Sequence, residues 1–158
     1  MPISILILTV GIPGSGKSTW VQEYYKNHRA VTVFSSDAIR DELNEQDVDE
    51  ITKGLHSPMI HDEIRTRIQK LLATEPPTGM MGWEIIVDAT NTDIEEWRKY
   101  KELGTTLMCC KLFEISPEEA KFRISRRNRK VPDYVVDEKF EELERNKKYL
   151  PFFFNITD

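Results

Sequence analysis

Short apolar runs alternate along this chain with longer segments in which apolar residues recur every three or four positions. The apolar runs have the length and composition of buried strands, and they cover residues 3–10, 30–36, 84–91 and 105–115. The longer segments have the periodicity of helices with one buried face. Strands that alternate with helices imply a parallel sheet that is covered by helices on both faces.

Capping residues and prolines indicate where the predicted helices begin. The starting points are Lys17, Asp37, Ser57, Thr92, Ser116 and Asp133. Thr92 with Glu95 matches the capping-box pattern, and Ser116 with Glu119 matches it again. No repeat, low-complexity tract or linker interrupts the alternation, so we expect a single domain over residues 1–158.

The composition is that of an ordinary globular protein, with 39% hydrophobic and 31% charged residues. No apolar run approaches the roughly 18 to 20 residues that a membrane span needs. The N-terminal run lacks a basic segment and leads directly into a glycine-rich loop, which favours a core strand over a signal peptide. The adjacent Cys109 and Cys110 indicate free thiols, and we therefore expect a cytoplasmic protein without membrane association.

Charge is distributed unevenly along the chain. The net charge of −5 argues against a protein that coats nucleic acid non-specifically. However, residues 121–130 contain six basic side chains, whereas residues 41–50 contain six acidic ones. Local fields decide where an anion binds, so a nucleic-acid partner is not excluded.

A glycine-rich loop follows the first predicted strand and opens the first predicted helix. It fits the pattern G-x-x-x-x-G-K-[ST] with Gly11, Gly16, Lys17 and Ser18. Such loops direct backbone N–H groups at phosphate oxygens, while the lysine reaches the β- and γ-phosphates and the hydroxyl binds Mg²⁺. The remaining predicted nucleotide contacts are Pro13, Gly14, Ser15 and Thr19. The alternative is an ordinary glycine turn, but the strand–loop–helix context favours ATP binding.

Asp37 and Arg40 follow the second predicted strand, at the sheet edge where a second substrate lies in folds of this kind. A carboxylate there can accept the proton of an attacking hydroxyl group. Arg40 lies one helical turn on, where it can bind an anionic acceptor. The alternative is that Asp37 caps the helix and Arg40 is a surface charge.

Asp88 ends the third predicted strand, where related folds often carry an acidic group near the metal. It is a candidate Mg²⁺ ligand, directly or through water. Thr90 and Asn91 follow it, and the alternative is that this segment only organises the turn into the next helix.

The basic segment lies between the fourth predicted strand and the last helix, and Pro132 breaks its helix. Arginines in this position suit a lid, over about residues 121–133, that closes on a triphosphate and stabilises the transition state. Arg127 and Arg129 are the candidates, and Arg123 or Arg126 could substitute for them. The alternative is a solvated basic helix face.

Two further features carry less weight. His28, His56 and His61 lack metal-ligand spacing, which favours surface or packing roles. The apolar C-terminal residues 151–158 are most simply a segment folded back onto the core, with an interface as the alternative.

Four motifs in order give the chain a family likeness. "GIPGSGKSTW", "SSDAIR", "DATN" and "RRNRKVP" resemble the kinase domain of phage-type 5′-polynucleotide kinases over nearly the whole chain. The resemblance implies a P-loop NTPase-type three-layer α/β/α fold with a four-stranded parallel sheet, strand order 2-3-1-4, and an arginine-rich lid. It also implies transfer of the γ-phosphoryl group of ATP to the 5′-hydroxyl end of DNA or RNA.

The resemblance also implies a role for each matched residue. Lys17 and Ser18 would serve the ATP phosphates and Mg²⁺. Asp37 would be the general base, and Arg40 would hold the 3′-phosphate of the acceptor. Arg129, or else Arg127, would clamp the donor phosphates. The lid is shorter than in the relatives, and no phosphatase domain follows, so we expect a kinase without 3′-end healing.

Two other functions are compatible with the same residues. One is a kinase of this fold that acts on a small metabolite, a nucleotide or a hydroxymethylated DNA base. The other is an ATP-responsive binding module that transfers nothing. Assembly into a homo-oligomer is left open by the sequence.

Overall fold

The computed structural model describes residues 2–28, 30–44 and 57–157. The strands are β1 (Ile3–Val10), β2 (Val31–Ser35), β3 (Gly82–Asp88), β4 (Leu107–Leu112) and β5 (Asn155–Thr157). The helices are α1 (Lys17–Asn27), α2 (Ser36–Asn44), α3 (Ser57–Leu72), α4 (Ile94–Lys101), α5 (Pro117–Ser125), α6 (Asp133–Asn146) and α7 (Leu150–Phe153). His56 and the side chain of Ser57 lie outside the described part, so their predicted roles stay predictions.

All strand pairs are parallel, and the order across the sheet is β2-β3-β1-β4-β5. The predicted order of the first four strands is confirmed. The predicted strand number is wrong, because β5 adds a fifth strand at the edge beside β4. Leu150 and Phe154 are buried just before it, so the C-terminal segment does fold back onto the core.

The core lies on two faces of the sheet, as the alternation of side chains along β1 requires. Leu6 and Leu8 point to the larger face, where they join residues from α3, α4, α5 and α6. Ile7 points to the smaller face, which α1 covers with Val21. The chain therefore forms three layers, helix–sheet–helix, as predicted. Cys109 and Cys110 are buried free thiols.

One predicted helix cap is confirmed and another is wrong. Ser116 caps α5, because its hydroxyl accepts a hydrogen bond from the Glu119 N–H at 3.2 Å. At α4 the cap is Asp93, whose carboxylate accepts from the Glu95 N–H at 3.0 Å. Thr92 does not cap α4, since its hydroxyl donates to the Glu142 carboxylate of α6 instead.

None of the helices in the described part of the chain has both the length and the apolar character that crossing a bilayer requires.

The parallel arrangement brings three polar segments to one edge of the sheet. β1 leads into the glycine loop, β2 leads into Ser36 and Asp37, and β3 ends at Asp88. Because β1 lies directly beside β3, the glycine loop and Asp88 are neighbours, and β2 places α2 just beyond them. A site that uses all three segments must therefore lie along this edge.

Candidate active site

The glycine loop wraps the start of α1 in a conformation that suits glycine. Gly14 and Gly16 have φ angles of +83° and +97°, which side-chain-bearing residues rarely adopt. The N–H of Gly11 donates to the Thr90 carbonyl at 3.0 Å and ties the loop to the segment after β3. The loop thus has the shape of the phosphate-binding loop that the sequence predicts.

Lys17, the lysine of this motif, is buried and only 9% exposed. Its ammonium group donates to the Ile12 carbonyl at 2.7 Å and lies 3.4 Å from the Ser15 hydroxyl. Burial lowers the pKa of Lys17 to about 8, although the carboxylate of Asp88 acts in the opposite direction. Among the described residues this ammonium group forms no ion pair with a carboxylate, which leaves its charge open to an anion.

Ser18 and Asp88 form the pair expected of a magnesium site. The Ser18 hydroxyl donates to Asp88 Oδ2 at 3.0 Å. Burial raises the pKa of Asp88, while the hydrogen bond from Ser18 acts against that rise. Hydroxyl and carboxylate oxygens are the ligands that Mg²⁺ prefers. Within the described ranges no three His, Cys, Asp or Glu side chains cluster as metal ligands.

Asp37 and Arg40 lie side by side on α2, as their spacing predicts. Arg40 Nη1 is 3.1 Å from Asp37 Oδ1, and both residues line the cleft above the glycine loop. The alternative in which Asp37 caps the helix is wrong. Ser35 caps the helix instead, because its hydroxyl accepts a hydrogen bond from the Ala38 N–H at 3.3 Å. The Asp37 carboxylate therefore remains available in the cleft.

The two predicted lid arginines lie at different places, although both line the cleft. Arg129 pairs with both carboxylate oxygens of Asp41, at 2.7 and 2.5 Å, and lies 3.9 Å from Asp37. Arg127 acts on Lys17, whose pKa its positive charge helps to lower. Arg129 thus faces helix α2, whereas Arg127 is the predicted lid arginine whose charge acts on Lys17.

Arg123 and Arg126, the two arginines that could substitute for them, also lie in different places. Arg123 lines the cleft, and its guanidinium lies close to Gly16 of the glycine loop. Arg126 does not line this cleft. Its guanidinium carbon lies 5.1 Å from the ring centre of Phe122, an exposed side chain of α5.

The cleft itself has a volume of about 1180 Å³, which exceeds the roughly 300–1,000 Å³ of most single-ligand sites. One end holds the glycine loop and Asp88. A second group of lining residues comes from the first turn of α3, the start of α4 and the segment before it, and the first two turns of α6, and we call this group the far end of the cleft. A cleft of this size can hold a donor and an acceptor together.

Sequence reasoning did not identify the residues at this far end. They include His61, Asp93, Glu96, Tyr134 and Lys139. No local motif marks them, because they come from three helices that only the fold brings together. The weak signal available was that His61 lies one position from the buried face that Ile60 and Ile64 define.

Asn91 has the structural role that the sequence left open. It is buried with a φ angle of +51°, and its side-chain amide donates to the Thr9 carbonyl at 2.7 Å. Its own carbonyl accepts from the Trp97 indole N–H at 2.7 Å. These bonds fix the segment that carries Asp88 against β1 and α4.

Comparison with known families matches the model described as an AAA domain to residues 6–149, which is most of the chain. The chain belongs to this family. A comparison with curated protein sequences gives no match.

Comparison with solved structures gives the fold. A chain in the structure of the Pnkp1/Rnl/Hen1 RNA repair complex superposes with a TM-score of 0.73 at 19% identity, covering 94% of this chain and 46% of that one. The present chain therefore spans less than half the length of that relative.

Two whole kinases are similar as well. A gluconokinase from Sinorhizobium meliloti 1021 has a TM-score of 0.57 at 18% identity, with 99% of this chain and 82% of that chain covered. The deoxyadenosine kinase from M. mycoides, with products dCMP and a flexible dCDP bound, has a TM-score of 0.53 at 18% identity, with 97% and 89% covered. At such identities the likeness establishes a kinase-type P-loop α/β fold.

Proposed function

We propose that the protein is an ATP-dependent polynucleotide 5′-hydroxyl kinase. The observation that carries this proposal is the Asp37–Arg40 pair, which lines the same cleft as Lys17 and Ser18. A phosphate-binding loop alone accounts for the donor. A carboxylate beside a guanidinium accounts for an acceptor that brings a hydroxyl group and an anionic group together, which is the chemistry of a 5′-terminal nucleotide.

The transfer proceeds by in-line displacement. Asp37 accepts the proton of the 5′-hydroxyl group while the oxygen of that hydroxyl group forms a bond to the γ-phosphorus of ATP. The bond between that phosphorus and the β,γ-bridging oxygen breaks, and ADP leaves with the electron pair. Lys17 and Arg127 stabilise the negative charge on the phosphates during this step.

Ser18 and Asp88 would hold Mg²⁺, because they present a hydroxyl and a carboxylate oxygen at the same place. The ion, when bound, neutralises phosphate charge. The chain's own contribution is to keep these two side chains aligned through their hydrogen bond and through the fixed segment after β3.

Arg40 would bind the phosphate on the 3′ side of the acceptor nucleotide. Its guanidinium has five N–H donors, so it can keep the contact with Asp37 and still bind an oxyanion. The contact with Asp37 holds the carboxylate in place next to the acceptor hydroxyl.

A second candidate is a kinase that acts on a nucleoside or a small metabolite. The gluconokinase and the deoxyadenosine kinase share the fold over nearly the whole of this chain, which supports that candidate. The likeness to a chain of an RNA repair complex and the four-motif resemblance to polynucleotide kinases support the first.

Labelled ATP offered to a panel of acceptors separates the candidates. We expect transfer to 5′-hydroxyl oligonucleotides and none to 5′-phosphorylated oligonucleotides. We expect Asp37→Asn to lower kcat by about 10² to 10⁴, the usual contribution of a general base, and to leave ATP binding intact. Glu23→Gln, an exposed carboxylate on α1, is the matched control.

Each other result has a clear meaning. Transfer to nucleosides or gluconate without transfer to 5′-hydroxyl ends would contradict the first proposal and favour the second. ATP binding without transfer to any acceptor would instead identify a binding module.

A further inference from the structure

The far end of the cleft rests on a buried polar network. Arg65 and Glu96 form an ion pair in which both side chains are buried, and Arg65 also contacts Asp62. The Arg65 guanidinium carbon lies 5.2 Å from the ring centre of Tyr100, which is fully buried. Apolar residues often replace such buried pairs at no cost in stability, so stability alone gives little reason to keep the network.

The hydrogen bond between Tyr100 and His61 determines the tautomer of the histidine. His61 Nδ1 lies 2.8 Å from the Tyr100 hydroxyl, which has no other partner among the described residues. Burial raises the pKa of Tyr100 well above its usual value, so the phenol keeps its proton. Because this buried O–H has no acceptor other than Nδ1 among the described residues, we assign it as the donor to Nδ1. Burial also lowers the pKa of His61 to about 4. The imidazole is therefore neutral near pH 7 and carries its hydrogen on Nε2.

The remaining hydrogen-bonding group of this imidazole is Nε2–H. In the part of the chain that the structure describes, His61 Nε2 has no hydrogen-bond partner, and His61 lines the cleft. The Tyr100 contact fixes the ring, so the donor is preorganised for a ligand.

The charges around His61 do not favour a second phosphate. The charged side chains that act on His61 are Glu96, Arg65, Lys139 and Asp93. Arg65 is paired with Glu96, and Lys139 lies 3.5 Å from Glu142. Both cations therefore already have carboxylate partners, whereas Asp93 can still accept hydrogen bonds. A neutral donor beside a carboxylate matches an uncharged group that has both acceptors and donors.

The edge of a nucleobase is such a group, because every base presents a ring nitrogen or carbonyl acceptor and most also present an amino or imino donor. Tyr134 lines the same cleft and is 65% exposed. Exposed aromatic rings are the usual stacking surfaces for unpaired bases.

We propose that the far end of the cleft receives the nucleobase of the 5′-terminal acceptor nucleotide, with the His61 Nε2–H donating to an acceptor atom on its edge. The inference rests on the proposed function and names the part of the substrate that the far end of the cleft recognises. It makes His61 a specificity-determining residue that distinguishes nucleotide ends from acceptors without a base.

Paired acceptors test this directly. One 5′-hydroxyl oligonucleotide carries a normal terminal nucleotide, and the other carries an abasic sugar with the same 5′-hydroxyl and 3′-phosphate. We expect His61→Ala to lower kcat/KM about tenfold on the normal acceptor, the size of one hydrogen bond to a neutral partner, and less than about twofold on the abasic one. His61→Gln keeps an N–H donor near the position of Nε2 and should recover most of the loss.

His28→Ala is the control, because His28 is exposed directly after α1 and stacks on Tyr24 away from the cleft. Thermal melting and ATP titration of each variant check that the fold and the donor site are intact. An equal loss on both acceptors, or no loss on either, would overturn the base assignment. If the wild type phosphorylates neither 5′-hydroxyl acceptor, the proposed function itself fails and the inference fails with it, which is distinguishable from the first two results.

Discussion

At the scale of single residues, we expect the buried amine of Lys17 to couple nucleotide binding to proton uptake. Its pKa is lowered to about 8 because burial penalises the charged form, and a bound triphosphate must raise that pKa again. Above about pH 8 the free protein carries a neutral Lys17, so binding requires a proton. ATP affinity should therefore fall as pH rises through 8, by up to about tenfold per pH unit.

Calorimetric titration of ATP between pH 7 and 9.5 measures this dependence. Lys17→Arg keeps the side chain protonated throughout the range, so its affinity, whatever its absolute value, should vary much less with pH. If the ATP affinity of the arginine variant depends on pH as steeply as that of the wild type, the proton is taken up by a group other than Lys17.

At the scale of elements, the glycine loop is held against α5 at Gly14. A Cβ at Gly14 would lie 2.7 Å from the Ala120 carbonyl and 3.1 Å from Ile124, and its φ angle is +83°. Gly79 offers a matched control, since its φ angle is +84° and nothing lies within 4 Å of a Cβ there. Gly79→Ala should therefore cost only the backbone strain, about 1 kcal/mol, and leave ATP binding unchanged.

Gly14→Ala introduces the same backbone strain as Gly79→Ala and, in addition, a clash between the new Cβ and α5. We expect a larger loss in the free energy of unfolding and at least tenfold weaker ATP binding, because the loop must move away from the helix that leads into the lid. Denaturant unfolding and ATP titration of both variants measure the difference. Equal effects of the two substitutions would mean that the contact with α5 does not position the loop.

The elements that the sequence predicts correctly are those with a strong local pattern. β1 is an apolar run followed by glycine, and α5 begins at a capping serine, so both are encoded within a few residues. β5 has three residues and no periodicity, and its extended form depends on pairing with β4. Thr92 and Asp93 are both acceptable caps by residue type, and the contact between Thr92 and Glu142 on α6 decides between them.

The same distinction separates the two ends of the cleft. Lys17, Ser18 and the Asp37–Arg40 pair belong to motifs a few residues long, and the structure brings all of them to one edge of the sheet. His61 and Tyr100 are 39 residues apart, and neither has a spacing that marks it. Their partnership depends on how α3 packs against α4, which periodicity alone does not specify.

At the scale of the whole molecule, basic side chains make up a larger share of the charges in the cleft than in the chain as a whole. The chain carries a net charge of −5, yet Arg40, Arg123, Arg127, Arg129 and Lys130 all line the cleft. Among the described residues that line the cleft, seven are Lys or Arg and six are Asp or Glu, so the cleft lacks the excess of acid that the chain carries. Its cations can attract the phosphates that enter the site, while the net negative charge gives little attraction to a polyanion that extends beyond it. This distribution suits an enzyme that recognises the end of a nucleic acid more than its length.

Acceptor length and salt test this reading. We expect kcat/KM for a 5′-hydroxyl trinucleotide to lie within about threefold of the value for a 20-nucleotide acceptor, since the net negative charge of the chain gives the added phosphates little attraction. Affinity for the longer acceptor should fall only gently with salt, with a log–log slope of about −1 to −2, because one or two phosphate contacts release few counterions. Arg40→Gln should reduce that slope by about 0.7, the value for one single-strand phosphate contact. A tenfold gain with length, or a slope near −4, would require an extended basic track on a molecule whose net charge is negative, and would place much of the acceptor binding outside the cleft.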